Sequence, residues 1–248
     1  GRCRIGDSQG QLLQSQRRLG KSGPRRVGIL ESAALQEQVL NMVLIVGHIK
    51  AVHHADALRF HPRCYYRPND SSPTETWPAM IAAVTDLSGA ITGAHRTWLA
   101  PDGFGKAPVD TPRRAMGGLL GHAVRFGTAD DVLAVGESIE TMLSLRCALP
   151  AMPMAAALSA NHLAALVLPP ALCRLYIARD ADAAGDTASA ALTQRAEAAG
   201  IETLALSPRT GDFNEDLHAF GLGALRPALR IQLAPQGQVA AGAGRAQL

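Results

Sequence analysis

Between residues 131 and 206 four short apolar runs alternate with helical segments, and few folds accommodate that alternation. The runs are DVLAVG at 131–136, MAAAL at 154–158, LYIA at 175–178 and IETLAL at 201–206. Between them lie SIETMLSLRCAL, SANHLAAL and the Ala-rich ASAALTQRAEAAG. Continuous apolar strands separated by helices predict a parallel sheet buried on both faces, with ligands bound beyond the carboxyl ends of its strands. In the first helix Ile139, Met142, Leu143 and Cys147 predict one apolar face.

The third run is followed at once by Asp180, Ala181 and Asp182, then by Gly185. Residues two apart on extended backbone point to the same side, so the two carboxylates share one small volume. Both ionise near pH 4, and a bound cation relieves their repulsion. With oxygen ligands alone the fitting ion is Mg²⁺ or Mn²⁺ rather than zinc. Gly185 permits a close backbone or ligand approach, and Gly200 is a C-cap signal for the helix. Glu137 ends the first run in the same way, and Asp212, Asn214, Glu215 and Asp216 occupy another strand-to-helix crossing. Two ordinary uses stay open: aspartate capping a helix, and Glu137 compensating a helix dipole.

The 248 residues suffice for one large or two small domains. The longest apolar runs fall well short of the roughly 18 residues of a membrane span, so a cytoplasmic protein without a membrane role is expected. Cys3, Cys64, Cys147 and Cys173 form no C-x-x-C pair, so no zinc site and no disulfide framework is expected. His48, His53, His54 and His61 lack metal-ligand spacing and are expected to serve other roles. Charge is uneven: residues 1–70 hold 11 Lys/Arg against 5 Asp/Glu, whereas residues 127–248 hold 8 against 12. A basic front and an acidic back suit a chain that holds a polyanion with one part and cations with the other.

Residues 1–56 read as a basic arm followed by an apolar helix starting near Ser32. Residues 57–128 form a basic subdomain, residues 129–232 the α/β domain, and residues 233–248 a disordered tail. Within the subdomain, residues 79–84 and 91–99 predict two antiparallel strands joined by a turn from Asp86 to Ala90, with Gly89 as its permissive residue. Arg96, Lys106, Arg113 and Arg114 are the cations to single out. Each alone is ordinary surface charge; as a set flanked by glycines they can line a groove for phosphates.

A lone glutamate after a strand, an Asp-x-Asp about 40 residues on, and the later GDFNED together resemble the Toprim domain, the metal-binding module of bacterial primases, type IA and type II topoisomerases and some nucleases. ITGAHRTWL followed by GKAPVDTPRRAMGG resembles the basic subdomain that precedes Toprim in replicative primases, although Val109, Asp110 and Thr111 replace most of that family's asparagine-serine-proline run. ALSANHLAALVLPP is similar to Toprim primase-like proteins of plasmids, phages and integrative elements. The resemblance implies a parallel-rich α/β sheet flanked by helices, preceded by a smaller α+β basic subdomain. It implies catalytic and metal-binding roles for Glu137, Asp180 and Asp182, with Asp212 as a further ligand of Mg²⁺ or Mn²⁺. It also implies binding of template or nucleotide by Arg96, Lys106, Arg113 and Arg114. The implied activity is primer synthesis on single-stranded DNA from nucleoside triphosphates, with a separate helicase as partner. A Toprim nuclease and a noncatalytic or truncated DNA-binding accessory are the alternatives.

Overall fold

The computed structural model describes residues 57–102 and 105–233. The expected basic arm, the helix near Ser32 and the tail from residue 234 lie outside them. Nine strands form two sheets among the described residues.

The first sheet is antiparallel, in the order β1 (Leu58–Tyr66), β2 (Glu75–Thr85), β3 (Ile91–Trp98), β4 (Arg113–Gly117). The expected hairpin is β2 and β3. Its turn is held by Asp86, whose Oδ1 accepts from the backbone N–H groups of Ser88 and Ala90 at 2.8 and 3.0 Å, and Gly89 takes the required positive φ of 85°. No strand signal is legible over β1, where Pro62 interrupts the run. In the structure the β1–β2 register shifts between His61 and Cys64, and this irregularity accommodates a residue that has no N–H for the ladder. His61 is an exposed strand residue whose Nδ1 accepts from the Arg63 backbone N–H. Among the described residues the basic subdomain is all β.

The second sheet has the order β5 (Val124–Phe126), β7 (Met154–Ala156), β6 (Val132–Gly136), β8 (Arg174–Ala178), β9 (Glu202–Leu206). Its last four strands in chain order are the predicted runs, and all pair in parallel; β5 adds an antiparallel edge. Helices α1 (Ile139–Ala148) and α4 (Phe213–Leu233, broken at Gly221) cover one face, and α2 (Ala160–Ala164) and α3 (Ala183–Ala198) the other. Side chains of the central strands divide accordingly. Ala134, Tyr176 and Ala178 join the α1–α4 core, while Leu133, Val135, Leu175 and Ile177 join the α2–α3 core.

Helix α1 differs from the one-faced helix expected. Eight of its ten residues are buried, because Met80, Ala82 and Val84 of β2 belong to the same core as Met142, Leu145 and α4. A helix enclosed on all sides needs no polar face. Residues of the antiparallel sheet and of α1 thus share one core, and Arg113 of β4 forms an ion pair with Glu140 of α1. Ser138 caps α1, its Oγ accepting from the Thr141 backbone N–H at 2.9 Å. Ser138→Ala is expected to lower stability by about 1 kcal/mol, measured as the shift in a urea unfolding midpoint.

Candidate active site at the ends of two central strands

The chain leaves β6 toward β7 on one side and leaves β8 toward β9 on the other, so the sheet's connections diverge between β6 and β8. Such a divergence opens a crevice beyond the carboxyl ends of the strands. Gly136 pairs with Ala178 at the last rung, which places Glu137 and Asp180 on the two lips of that crevice. Gly136 keeps this rung close: a Cβ would lie 2.7 Å from Met142 Sδ and 3.2 Å from the Ala178 carbonyl oxygen.

Around the crevice the backbone is closely held. The carbonyl of Glu137 accepts from the Leu158 N–H at 2.7 Å, and Leu158 is held at φ 81°, a region a branched residue seldom occupies. Ala181 N–H donates to the Gly211 carbonyl at 2.8 Å, tying the Asp180–Asp182 loop to the loop that carries Asp212. Asp182 caps α3 by accepting the Gly185 N–H on Oδ1 at 2.7 Å, and Asp212 accepts the Glu215 N–H on Oδ1 at 2.7 Å at the start of α4. The capping use of Asp182 is thus present, and it occupies one of two oxygens. Asp216, buried, accepts from Arg209 N–H, Thr210 N–H and Thr210 Oγ1, so it closes the loop and leaves the crevice to the others.

Asp180 and Glu137 are different. Asp180 Oδ1 and Glu137 Oε1 are buried and have no hydrogen-bond partner. Burial pushes the Asp180 carboxyl up to about 7, reinforced by the charges of Glu137, Asp212, Asp182 and Glu140. Burial, then the Asp182 charge, raises Glu137. Two orphaned carboxylate oxygens in a crevice rimmed by further acids suit a hard divalent cation. Among the described residues no three acidic, His or Cys side chains stand together as a ready ligand group.

The four selected cations do not share one surface. Strand side chains alternate, and the β3–β4 register pairs Arg96 with Arg114 and Thr97 with Arg113. Arg113 lies on the face turned to α1, where it forms an ion pair with Glu140. His95 is on this same face, and burial lowers its pKa, with Glu140 and Arg113 acting in opposite directions. Lys106 belongs to this neighbourhood too: burial, then Arg113, lowers its pKa, with Glu140 opposing. Arg96 and Arg114 lie on the opposite face. Arg96 sits 5.0 Å above the Trp98 ring and Arg114 5.2 Å from the Tyr66 ring. Arg114 also donates to the carbonyls of Arg67 and Pro68 and to Thr111 Oγ1, which fixes the end of β1 to β4. Sequence reasoning missed Glu140 and the Tyr66–Trp98 pair. The period-two pattern of Arg96 and Trp98 was the available signal for the second.

Residues 132–222 match the family described as Toprim domain. This segment is a Toprim domain. It begins at β6, ends within α4, and contains Glu137, Asp180, Asp182 and Asp212. Toprim domains bind Mg²⁺ through acidic residues of this kind. Residues 47–126, which include the antiparallel sheet, match a domain of unknown function, DUF7146. No curated protein matches the chain. Among solved structures, the primase fragment of the bacteriophage T7 primase-helicase protein is 15% identical at a TM-score of 0.47, over 66% of this chain and 66% of that one. The Aquifex aeolicus primase is 17% identical at 0.45, over 67% and 43%. A DNA primase domain from Pseudomonas aeruginosa is 15% identical at 0.46, over 71% and 58%. The chain spans less than two thirds of the length of each of these three structures. Among the described residues no helix is long and apolar enough to cross a membrane.

Proposed function

We propose that the chain is a Mg²⁺-dependent nucleotidyltransferase that synthesises primers on single-stranded DNA. The observation that carries this reading is the pair of buried, unpartnered carboxylate oxygens on Glu137 and Asp180 inside a Toprim domain. Glu137, Asp180 and Asp182, with Asp212, would hold the ion. Mg²⁺ bound there supplies charge neutralisation for the α-phosphate and the departing pyrophosphate. Asp182 and Asp212 are kept in place by their caps, which fixes where negative charge is offered. Lys106 and Arg113, on the side of the antiparallel sheet turned to α1, would grip the triphosphate of the incoming nucleotide. Glu137, whose affinity for a proton is raised, is suited to take the proton of the attacking 3′-hydroxyl when it is not engaged with the ion. The same proposal includes a helicase supplied by another chain.

The test is incorporation of labelled nucleotides on single-stranded DNA with Mg²⁺ or Mn²⁺, with and without a ready-made primer. Short products from the unprimed template are the expected result. Loss of the template strand would replace this reading with a Toprim nuclease. Metal binding with no change in either strand would replace it with a noncatalytic accessory.

A further inference from the structure

Strand β3 places His95 and Thr97 on the face of the antiparallel sheet turned to α1, opposite to Arg96 and Trp98. Each carries a buried atom without a hydrogen-bond partner, Nδ1 of His95 and Oγ1 of Thr97. Buried polar atoms are nearly always paired, so two orphans on one face point to a use other than holding the fold. The positions around His95 are small. Ala82 and Ala115 lie across from it on β2 and β4, and Gly93 and Thr97 flank it along β3. The imidazole is therefore not packed into its own sheet. Arg113, one same-face step along β4 from Ala115, is its diagonal neighbour and pairs with Glu140 of α1. Lys106 senses the same two charges, and Glu140 also bears on Asp180 in the crevice. His95 thus shares a neighbourhood with the cations assigned to the triphosphate, and Glu140 joins that neighbourhood to the acids.

We propose that His95 is the general acid of the reaction, giving its proton to the departing pyrophosphate. The proposal rests on the reading of the chain as a nucleotidyltransferase and adds the proton donor to it. The bond from the 3′ oxygen to the α-phosphorus forms as the bond from that phosphorus to the α,β-bridging oxygen breaks. The electron pair of the broken bond stays on the bridging oxygen, which takes the His95 proton, while Glu137 holds the proton of the 3′-hydroxyl. Burial lowers the proton affinity of His95, with Glu140 and Arg113 acting in opposite directions, so the ring is neutral at pH 7 in the free chain. Its own strand adds no charge on this face, because Arg96 faces away. A triphosphate gripped by Lys106 and Arg113 brings negative charge beside the ring and an acceptor for its unpaired nitrogen, and both favour the imidazolium. The proton enters from solvent as the nucleotide binds.

The experiment compares the natural chain with His95→Gln, and with His95→Asn as a second neutral variant, at equal melting temperature. In the natural chain kcat for incorporation should fall as pH rises from about 7 to 9. His95→Gln should lower kcat about 100-fold with little change in KM for the nucleotide, and should lose that fall. Its deficit should shrink with a nucleotide whose β,γ-bridging oxygen is replaced by CF₂, a weaker base on leaving, and grow with CH₂ in that place. Calorimetry of an α,β-methylene nucleoside triphosphate in EDTA, in two buffers of different ionisation enthalpy, counts the protons taken up on binding. The natural chain should take up about one proton more than His95→Gln near pH 7.5. Unchanged kcat in both variants overturns the proposal. So does a lowered kcat with the same pH profile and the same response to the leaving group, which a structural role would give. A natural chain that incorporates nothing ends the proposed activity, and the proton count then decides for His95: equal uptake in the variant overturns its contact with phosphate, and uptake that depends on His95 supports it.

Discussion

Asp180→Asn is expected to abolish nucleotide incorporation while making the metal-free protein more stable at pH 8. The two effects have one cause. In the folded chain the Asp180 carboxyl titrates near 7 rather than 3.8, chiefly because it is buried and then because Glu137, Asp212, Asp182 and Glu140 surround it with negative charge. A carboxyl whose affinity for protons rises on folding opposes folding once it ionises. Between about pH 4 and pH 7 the native chain binds more protons than the unfolded one, so stability falls as pH rises through that window and is flat above it. The full shift would correspond to about 4 kcal/mol, and partial exposure to water reduces this to about 1 to 2 kcal/mol. Asparagine carries no charge, so its melting temperature in EDTA should exceed that of the natural chain by about 2 to 8 °C at pH 8. The gain should vanish below about pH 4, where the Asp180 carboxyl is protonated in the folded and the unfolded chain alike. Millimolar Mg²⁺ should stabilise the natural chain by binding the folded state alone, and should do so much less in the variant. Incorporation should fall at least about 100-fold, since disturbing even the residues that merely support metal ligands costs up to that much. Equal melting temperatures at pH 8, or retained incorporation, would remove Asp180 from the centre of the site.

How far the sequence could be read depended on how local each signal was. The parallel strands were legible because burial on both faces demands unbroken apolar runs, and 132–136 and 174–178 contain little else. The acids were legible because each follows such a run directly, and the parallel register brings Glu137 and Asp180 together. Strand β1 was not, since Pro62 and exposed polar residues mask its pattern and only the pairing with β2 defines it. Nor was β5, three residues whose strand character comes from the edge of a sheet completed 30 residues later. The division of the four cations between two faces of one sheet required the β3–β4 register, which adjacent arginines at 113 and 114 do not reveal by themselves. The use of Glu140 depended on its ion pair with Arg113 of β4, a tertiary contact with no local trace.

Gly185→Ala separates the position of the site from its charge. Inside a helix, alanine is ordinarily favoured over glycine by about 1 kcal/mol, so on propensity alone this change should stabilise α3. The surroundings predict the reverse. A Cβ on residue 185 would lie 2.6 Å from the Asp180 carbonyl oxygen and 3.3 Å from the Asp180 carbonyl carbon and Cβ. The obstacle is backbone, held from the far side where Ala181 N–H bonds to Gly211, so it cannot rotate aside as a flexible side chain would. Either the first turn of α3 lifts, which weakens the 2.7 Å bond from Gly185 N–H to Asp182, or Asp180 moves along its lip of the crevice. Overpacking of this kind costs about 1 to 3 kcal/mol, and a displacement near 1 Å at reacting groups lowers rates about 100-fold. Gly185→Ala is therefore expected to lose most incorporation and to melt below the natural chain at every pH. All the carboxylates remain, so Mg²⁺ should still raise its melting temperature, which is the response Asp180→Asn loses. Calorimetry with and without Mg²⁺, beside incorporation, distinguishes the two variants. A Gly185→Ala protein more stable than the natural chain and fully active would show that the start of α3 yields without moving Asp180, and that the close approach at Gly185 has no part in holding the site.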